Sequence, residues 1–589
     1  MNDCHAVLLD TASIQNYIFQ SNKLRENLGA SFLVEEIYRT YLACALCAIT
    51  KRTFAEELAH LDSWKAAAAE TPDCSKVVDI GYIGGGNALL FFQTEKLAQN
   101  FVEEWTKILL VHAPGLTTAV ATSLFSASQE FSESLKALFI QLERNKAEHS
   151  PITSLPRHGI TAECMHSGSS TEIYTELSDE YVSAGVNARI KAASASKNDL
   201  EKKYKSLLSD RFWFTNELED LGGKLHEDSH IAIVHIDGNN IGERFKAAKT
   251  LKDRRALSRI VHEATESAFG NLVNVAAEKH DAIMQALGFD SKSYPTGFML
   301  DEAALQKIAN DARLPKSYSE KLHKLKDRMY GSKKKFLEAA QKELAMNLPN
   351  EHGDALSTCA VKRNILPIRP IILGGDDVTF VCDGKLGIYF AQLFVEAFEN
   401  ADKNLTACAG VAIIKTKYPF YRGVELAKQL CSNAKTARKE KNSPASFLDF
   451  HVSLGGMAGT LQEIRKTHFQ APQGSLLYRP FKIVPTKLFD ELSLDLFLEK
   501  TCRLQHTEAG AINLPNNKIN ELSEALTLSE DAAQKFVQEL KYRGRKLPEI
   551  EGSHYAETLF QDRKTPYFDM IEILRFYPDF VLREAGGKR

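Results

Sequence analysis

The sequence predicts an α+β protein: two β-α-β-β-α-β units in tandem, a helical connector between them, and a mostly helical C-terminal part. Three observations carry this. A β-rich hairpin at residues 371–380 centres on Gly374-Gly375-Asp376-Asp377, with both carboxylates at its tip. A second apolar run, residues 231–236, ends in Asp237 and passes into a Gly238-Asn239-Asn240 loop that opens a helix. Both motifs recur upstream. Asp10 falls on Asp237, Ile14 on Ile241, and Ile83-Gly84-Gly85-Gly86-Asn87 on Leu373-Gly374-Gly375-Asp376-Asp377; the next strand, residues 116–121, falls on 405–410. A duplication of this kind is more informative than any single motif.

The chain has 589 residues, which exceeds one hydrophobic core and predicts three or four domains. Apolar content of 44% and charged content of 25% are those of an ordinary soluble globular protein. A formal net charge of −3 argues against a surface coated all over for nucleic acid, while leaving room for local basic patches. No apolar run approaches membrane-spanning length and the first residues are polar, so a cytoplasmic protein without membrane partners is expected. The ten cysteines are scattered. The one close pair, Cys44 and Cys47, lies in an apolar helical pattern without further ligands, which predicts buried thiols and no zinc.

In chain order, residues 1–150 form the first unit. Its hairpin reads Gly-Gly-Asn where the second reads Gly-Asp-Asp, so its metal ligands are lost, and it is expected to serve as a partner surface. Asp10 is read as capping the helix that follows it. Residues 151–228 form the connector: loop-like at 151–156 and 166–170, then helical and charged to Asp220, with Cys164 and His166 lacking a second ligand pair. Residues 229–470 form the second unit, with a long helix over 255–287. His262 and the His280-Asp281 pair on it are read as surface residues, since no ordered set of further ligands accompanies them. An insertion at 285–360 carries Lys316, Lys321, Lys324, Lys326, Arg328, Lys333, Lys334 and Lys335. These suit an RNA backbone, but their spacing with apolar residues favours a solvated helix face. Helices at 386–404 and 424–441 flank a strand at 405–414, and a closing strand is expected at 446–451. Residues 471–589 read as helical, with Ser529 as a helix cap and 541–546 as a basic, solvated helix end.

A strand-end Asp beside a two-acid hairpin resembles the palm cyclases of the large subunit of type III CRISPR effector complexes, and more distantly the diguanylate and adenylate cyclases. The likeness covers roughly residues 1–470 and is strongest in the second unit. It implies two ferredoxin-like palm (cyclase) domains, the first degenerate, in a form without the N-terminal HD nuclease. It also implies that Lys435, in Asn433-Ala434-Lys435, faces a triphosphate, and brings Lys23 and Arg25 into question for the same role against the default of surface charge.

The chemistry expected is nucleotidyl transfer from ATP to a ribose 3′-hydroxyl with release of pyrophosphate. Two Mg²⁺ (or Mn²⁺) ions would be held by Asp237 and Asp376, with Asp377 completing a shell or positioning water. Neighbouring strand residues face opposite ways, so Asp376 is taken as the principal hairpin ligand. The N–H groups of Gly238, Asn239 and Asn240 are expected to cradle phosphates, and Gly374 and Gly375 to leave the floor open beneath sugar and base. By resemblance the product is a cyclic oligonucleotide, an oligoadenylate, in antiviral defence. Two other readings stay open: a scaffold subunit that binds guide or target RNA and other CRISPR subunits, and a diguanylate-cyclase-like enzyme using GTP.

Overall fold

The computed structural model describes residues 3–587 apart from 68, 127–129, 149–158, 176–178, 209, 223–228, 291–293, 327, 454–458, 484–492, 508–509 and 551–552. The loop expected at 151–156 lies outside the described residues.

The duplication is visible strand by strand. The first sheet contains β1 (Cys4–Thr11), β2 (Val78–Gly84), β3 (Asn87–Phe92) and β4 (Thr118–Phe125) in the order β2-β3-β1-β4, antiparallel throughout. The second contains β5 (His230–Gly238), β6 (Ile368–Gly374), β7 (Asp377–Asp383) and β8 (Ala407–Lys415) in the matching order β6-β7-β5-β8. This is the ferredoxin-like arrangement, so the protein is α+β with two palm domains in tandem. Register agrees to the residue: Asp10 stands opposite Asn87 and Ala119, and Asp237 opposite Asp377 and Cys408. Even the irregularity repeats, with register shifts between Ile80 and Tyr82 in one hairpin and between Pro370 and Ile372 in the other. The second sheet is extended by β9 (Ser446–Val452), parallel to β8, and β10 (Phe481–Ile483).

Strand alternation sorts the second sheet's side chains between two cores. Ala232, Val234, Ile236, Val378, Phe380 and Val411 face one core. Ile231, Ile233, Val381, Ala412 and Ile414 face another, which they share with the first palm. His235, Asp237 and Asp377 lie on this second face by alternation, so the acids look toward the sister domain.

Helices lock the halves together reciprocally. Named in chain order, they are α1 (Leu24–Glu36), α2 (Glu95–His112), α3 (Phe131–Glu148), α4 (Ala184–Lys203), α5 (Leu251–Glu278), α6 (Gly387–Ala401) and α7 (Phe420–Glu440). From the first palm, α1 packs on the edge strand β6 of the second; from the second, α5 packs on the edge strand β2 of the first. The buried Arg255 of α5 donates to the carbonyls of Gly81 (2.8 Å) and Ile80 (2.5 Å), the residues of the β2 irregularity. The connector helix α4 lies along α1.

The insertion has its own core, including Phe298, Leu322, Phe336 and Leu356. Five of the eight basic residues singled out in it pair with acids: Lys324 with Glu343, Lys326 with Glu302, Lys333 with Asp354, Lys334 with Glu338 and Lys335 with Glu217. That is the solvated face expected. The C-terminal part is helical, with helices Leu494–Gln505, Asn516–Leu528, Glu530–Tyr542, Tyr567–Phe576 and Asp579–Gly587. Its core is continuous with that of the second palm. Arg479 sits fully buried between the carboxylates of Asp569 and Glu572, with its guanidinium 3.7 Å from the centre of the Phe450 ring on β9. Ser529 caps its helix as expected, accepting from the N–H of Ala532 at 3.2 Å.

Four expectations are corrected. Asp10 caps no helix: Ser13 is the N-cap of the following turn, and the Asp10 carboxylate takes Lys146. Cys44 is exposed and Cys47 half-buried, because they lie on the outer side of their helix. His280 is a core residue, packed on Phe212 and Tyr294, with Asp281 alone exposed beside it. The long helix over 255–287 is two: α5 begins at Leu251 on a Thr250–Asp253 capping box, and a separate helix spans His280–Ala286.

Candidate active site

The strand β5 runs apolar to its last turn and then becomes polar on one face: Ile231, Ile233, His235, Asp237. Across from it on β7 stand Val381, Thr379 and Asp377, in that order. Directly opposed residues on one face hold their Cβ atoms about 4.5–5.5 Å apart. Asp237 and Asp377 are therefore forced together by register alone. Asp376 joins them from the turn. A Cβ added to Gly238 would lie 2.8 Å from Cβ and 3.3 Å from Oδ2 of Asp376, so only glycine lets that carboxyl lie over the end of β5. The turn itself requires Gly375, whose φ is +61°.

Around the acids, Lys435 of α7 places Nζ 2.8 Å from Oδ2 of Asp237 and 3.4 Å from the carbonyl of Gly238. Gln15, from the first palm, donates from Nε2 to Oδ2 of Asp377 at 2.6 Å. Beneath Asp377 lies buried His235, its Nδ1 3.0 Å from Thr379 Oγ1 and 3.5 Å from Asp377 Oδ1. Thr265 of α5 donates to the Gly375 carbonyl at 2.5 Å, holding the turn from below. Across the interface, Gly375 faces Gly85, the corresponding turn glycine of the first palm.

Electrostatics follow from this crowding. Burial, and then the charge of Asp237, push the Asp376 carboxyl up to about 6. Burial raises Asp377 as well, with Asp237 adding to it and His235 and Gln15 opposing. Burial lowers His235, which holds the imidazole neutral. Burial pulls Lys435 down, but Asp237 beside it more than offsets this, and the ammonium is firmly charged. Three carboxylates thus face one ammonium, and Oδ1 of Asp377 is buried without a hydrogen bond. An excess of convergent carboxylate with an orphaned oxygen fits a divalent cation. Among the described residues, no group of three or more His, Cys, Asp or Glu side chains is arranged, as it stands, to hold a metal ion. Lys435 and Gln15 hold two of the three carboxylates.

The structure brings together Asp237, Asp376, Asp377, Gly238, Gly374, Gly375 and Lys435. Gly374 is open: a Cβ there would come no closer than 3.7 Å to other atoms. The phosphate cradle needs correction, because the N–H of Gly238 donates to the Asp376 carbonyl (3.1 Å) and that of Asn239 to the Thr406 carbonyl (2.8 Å). Those donors hold the site's backbone in shape and leave Asn240, at φ +59°, to turn the chain into the next helix. Lys23 and Arg25 are also displaced. Lys23 lies 3.0 Å from His166 and 3.7 Å from Glu180 of the connector, and Arg25 faces Glu26 and Glu217. Sequence reasoning passed over Gln15, His235 and Thr265. Only His235 left a signal, as a polar residue two positions before Asp237 in an apolar strand.

The first palm keeps part of the same arrangement. Lys146 of α3 lies 2.8 Å from Oδ2 of Asp10, and each lysine is the sixteenth residue of its helix. Where Asp376 would stand, Gly86 is closed in: a Cβ there would lie 2.2 Å from Ile14 Cδ1.

Two acid-edged ferredoxin-like sheets meeting across a pseudo-twofold axis define a palm-type protein. Residues 230–445 match the family model of the Cas10/Cmr2 second palm domain. Among solved structures, Csm1 from T. onnurineus is 11% identical with a TM-score of 0.46, covering 100% of this chain and 70% of its own. A Csm1–Csm4 cassette in complex with AMPPNP is 14% identical with a TM-score of 0.45, over 99% and 69%. A Csm1–Csm4 cassette in complex with pppApA is 12% identical with a TM-score of 0.45, over 97% and 69%. No curated protein matches the sequence. Among the described residues no helix is long and apolar enough to cross a membrane.

Proposed function

We propose that the chain is a nucleotidyltransferase that joins and cyclises adenosine nucleotides from ATP, making cyclic oligoadenylates in CRISPR-type antiviral defence. The observation that carries this is the meeting of Asp237, Asp376 and Asp377 with Lys435 at the palm–palm interface, within the stretch that matches the family model.

Asp237, Asp376 and Asp377 would hold Mg²⁺ or Mn²⁺, two ions in this reading. When bound, the ions make the attacking 3′-hydroxyl more acidic and neutralise charge on the leaving pyrophosphate. Lys435 supplies a fixed positive charge on the donor side, where negative charge builds up on the departing phosphates. His235, neutral and bonded to Thr379, supports Asp377 from below and keeps its position without adding charge. Gly374 and Gly375 leave the hairpin floor free for the sugar and base. The acceptor nucleotide lies against the first palm, whose Lys146 repeats the donor-side lysine and whose Asn87 repeats Asp377 without its charge. Guide or target RNA and other CRISPR subunits are the partners expected to activate the site.

The test is to incubate the chain with each labelled nucleoside triphosphate and Mg²⁺ or Mn²⁺, with and without RNA. ATP is expected to give cyclic products that vanish in Asp376→Ala and Asp377→Ala. Product formation untouched by both substitutions, or obtained from GTP alone, contradicts the proposal.

A further inference from the structure

Away from the palm interface, the connector, the insertion and the outer edge of the second sheet enclose an unusual set of donors. Arg369 on β6 is fully buried, and its Nε, Nη1 and Nη2 all lack a hydrogen-bond partner. Its guanidinium lies 5.8 Å from the centre of the Phe214 ring, which supplies an apolar wall and no acceptor. The neighbouring indole of Trp213 is buried with its Nε1 also unpartnered. Over that ring, at 4.4 Å, sits Lys197 of α4. Arg363, on the strand Val361–Ile365 that pairs with Phe212–Trp213, bonds Asp210 through Nη2 at 3.2 Å but leaves a buried Nε free.

Two acids face these groups. Asp210 is spent on Arg363, and Glu201 reaches Lys197 only at 4.0 Å, with Oε1 accepting no hydrogen bond. Among the described residues named here, three cations against two carboxylates, of which Asp210 is 80% exposed, leave a positive excess around the buried Arg369. A buried guanidinium with no acceptor costs several kcal/mol, and natural interiors do not often leave one so. Desolvation pulls Arg369 down to about 9 and Lys197 down to about 8, in each case against the opposing charge of Glu201.

We infer that the cluster of Arg369, Lys197, Arg363 and Trp213 is a binding site for a phosphate group, either free inorganic phosphate or the phosphate of a small nucleotide. The match is one of donor number. A guanidinium fork with every N–H free, an indole N–H, a second arginine Nε and an ammonium together suit a tetrahedral oxyanion that accepts several bonds at once. A single carboxylate would leave most of them unmet. Entry is from the side of Lys197, Glu201 and Arg363, whose side chains are 12%, 25% and 18% exposed while Arg369 is closed off. The site joins α4, which lies along the first palm's α1, to β6, which forms the catalytic hairpin. Occupancy would therefore stiffen the frame on which Asp376 and Asp377 are carried.

The test is calorimetric titration of the full chain with inorganic phosphate in chloride buffer, repeated on Arg369→Met, Lys197→Met and Asp376→Asn. Phosphate is expected to bind the parent and Asp376→Asn alike, and at least tenfold more weakly to the other two. Arg369→Met is further expected to raise the melting temperature of the ligand-free chain, because it removes a buried unpartnered charge; lost binding is then not lost folding. Should that variant fail to fold, Lys197→Met at the mouth decides. Adenosine monophosphate binding more tightly than phosphate identifies a nucleotide as the source, and equal or weaker binding identifies the free ion. No phosphate binding by the parent, equal binding by all four proteins, or loss in Asp376→Asn alone overturns the inference.

Discussion

The two palms share strand order, register, a repeated irregularity and a lysine–aspartate pair at the same distance, yet they differ in the turn that joins the central hairpin. In the second, Asp376 and Asp377 crowd Asp237 until burial and repulsion raise the acids. In the first, Asp10 is alone with Lys146, and Gly86 and Asn87 stand where the acids would be. The difference teaches that the lysine and the carboxylates are separable parts. On the proposed function, a cation for binding phosphate persists in the first palm where the acids that would hold metal are gone. The closed space at Gly86 also shows that the first turn has been repacked around Ile14, so a single Gly86→Asp substitution would not restore a site.

The largest expected contrast is between the two strand-end acids. Asp237→Asn should lower product formation about a thousandfold or more, since it removes a shared ligand. Asp10→Asn should change it by no more than about fivefold, and steady-state rates with ATP check both. The lysines should separate next. Lys435→Met is expected to reduce kcat about a hundredfold, by loss of charge stabilisation at the leaving group. Lys146→Met should instead raise KM about tenfold and largely spare kcat, the loss of one charged hydrogen bond to a bound acceptor. Equal effects of the two lysines on kcat would erase the donor–acceptor distinction.

A smaller effect concerns stability. Asp376 has a folded-state pKa of about 6 against an ordinary 3.8. Its proton is bound more tightly in the folded chain, so the stability it contributes is fully present below about pH 4 and lost as pH rises through about 6. Asp376→Asn should therefore stabilise the ligand-free chain by about 1–2 kcal/mol at pH 8, allowing for solvent screening at a partly exposed group, and by nothing at pH 4. Urea unfolding midpoints across that range read it directly. The smallest effect is at Gln15, which ties Asp377 from the other palm. Gln15→Ala should lower the Mg²⁺ concentration for half-maximal rate by about threefold, because one competitor for the carboxylate is gone.

Much of this was legible in the sequence because it is local or periodic. The hairpin, the strand-end Asp and the duplication that aligns Asn87 with Asp377 all follow from alternation and turn chemistry, and the register bears the alignment out. What was not legible depends on how separate elements dock. Nothing in the run around Gln15 says that it crosses to the second palm. Lys23 and Arg25 stay open between a triphosphate role and plain surface charge until the start of α1 is seen to turn them toward the connector. The N–H groups of Gly238 and Asn239 read as free donors from sequence, because their acceptors, the carbonyls of Asp376 and Thr406, come from strands far along the chain. His280 reads as a surface residue until Phe212 of the connector and Tyr294 of the insertion are seen to pack on it.

Of the two sister halves, only the second is proposed to hold cations, and Mn²⁺ binding separates them. Electron paramagnetic resonance of Mn²⁺ titrated into the chain with a non-hydrolysable ATP analogue counts bound ions without turnover. Asp377→Asn and Asp237→Asn are expected to lose protein-bound Mn²⁺ while Asp10→Asn keeps the full count. Retention of all bound ions in Asp237→Asn, or their loss in Asp10→Asn, would contradict it.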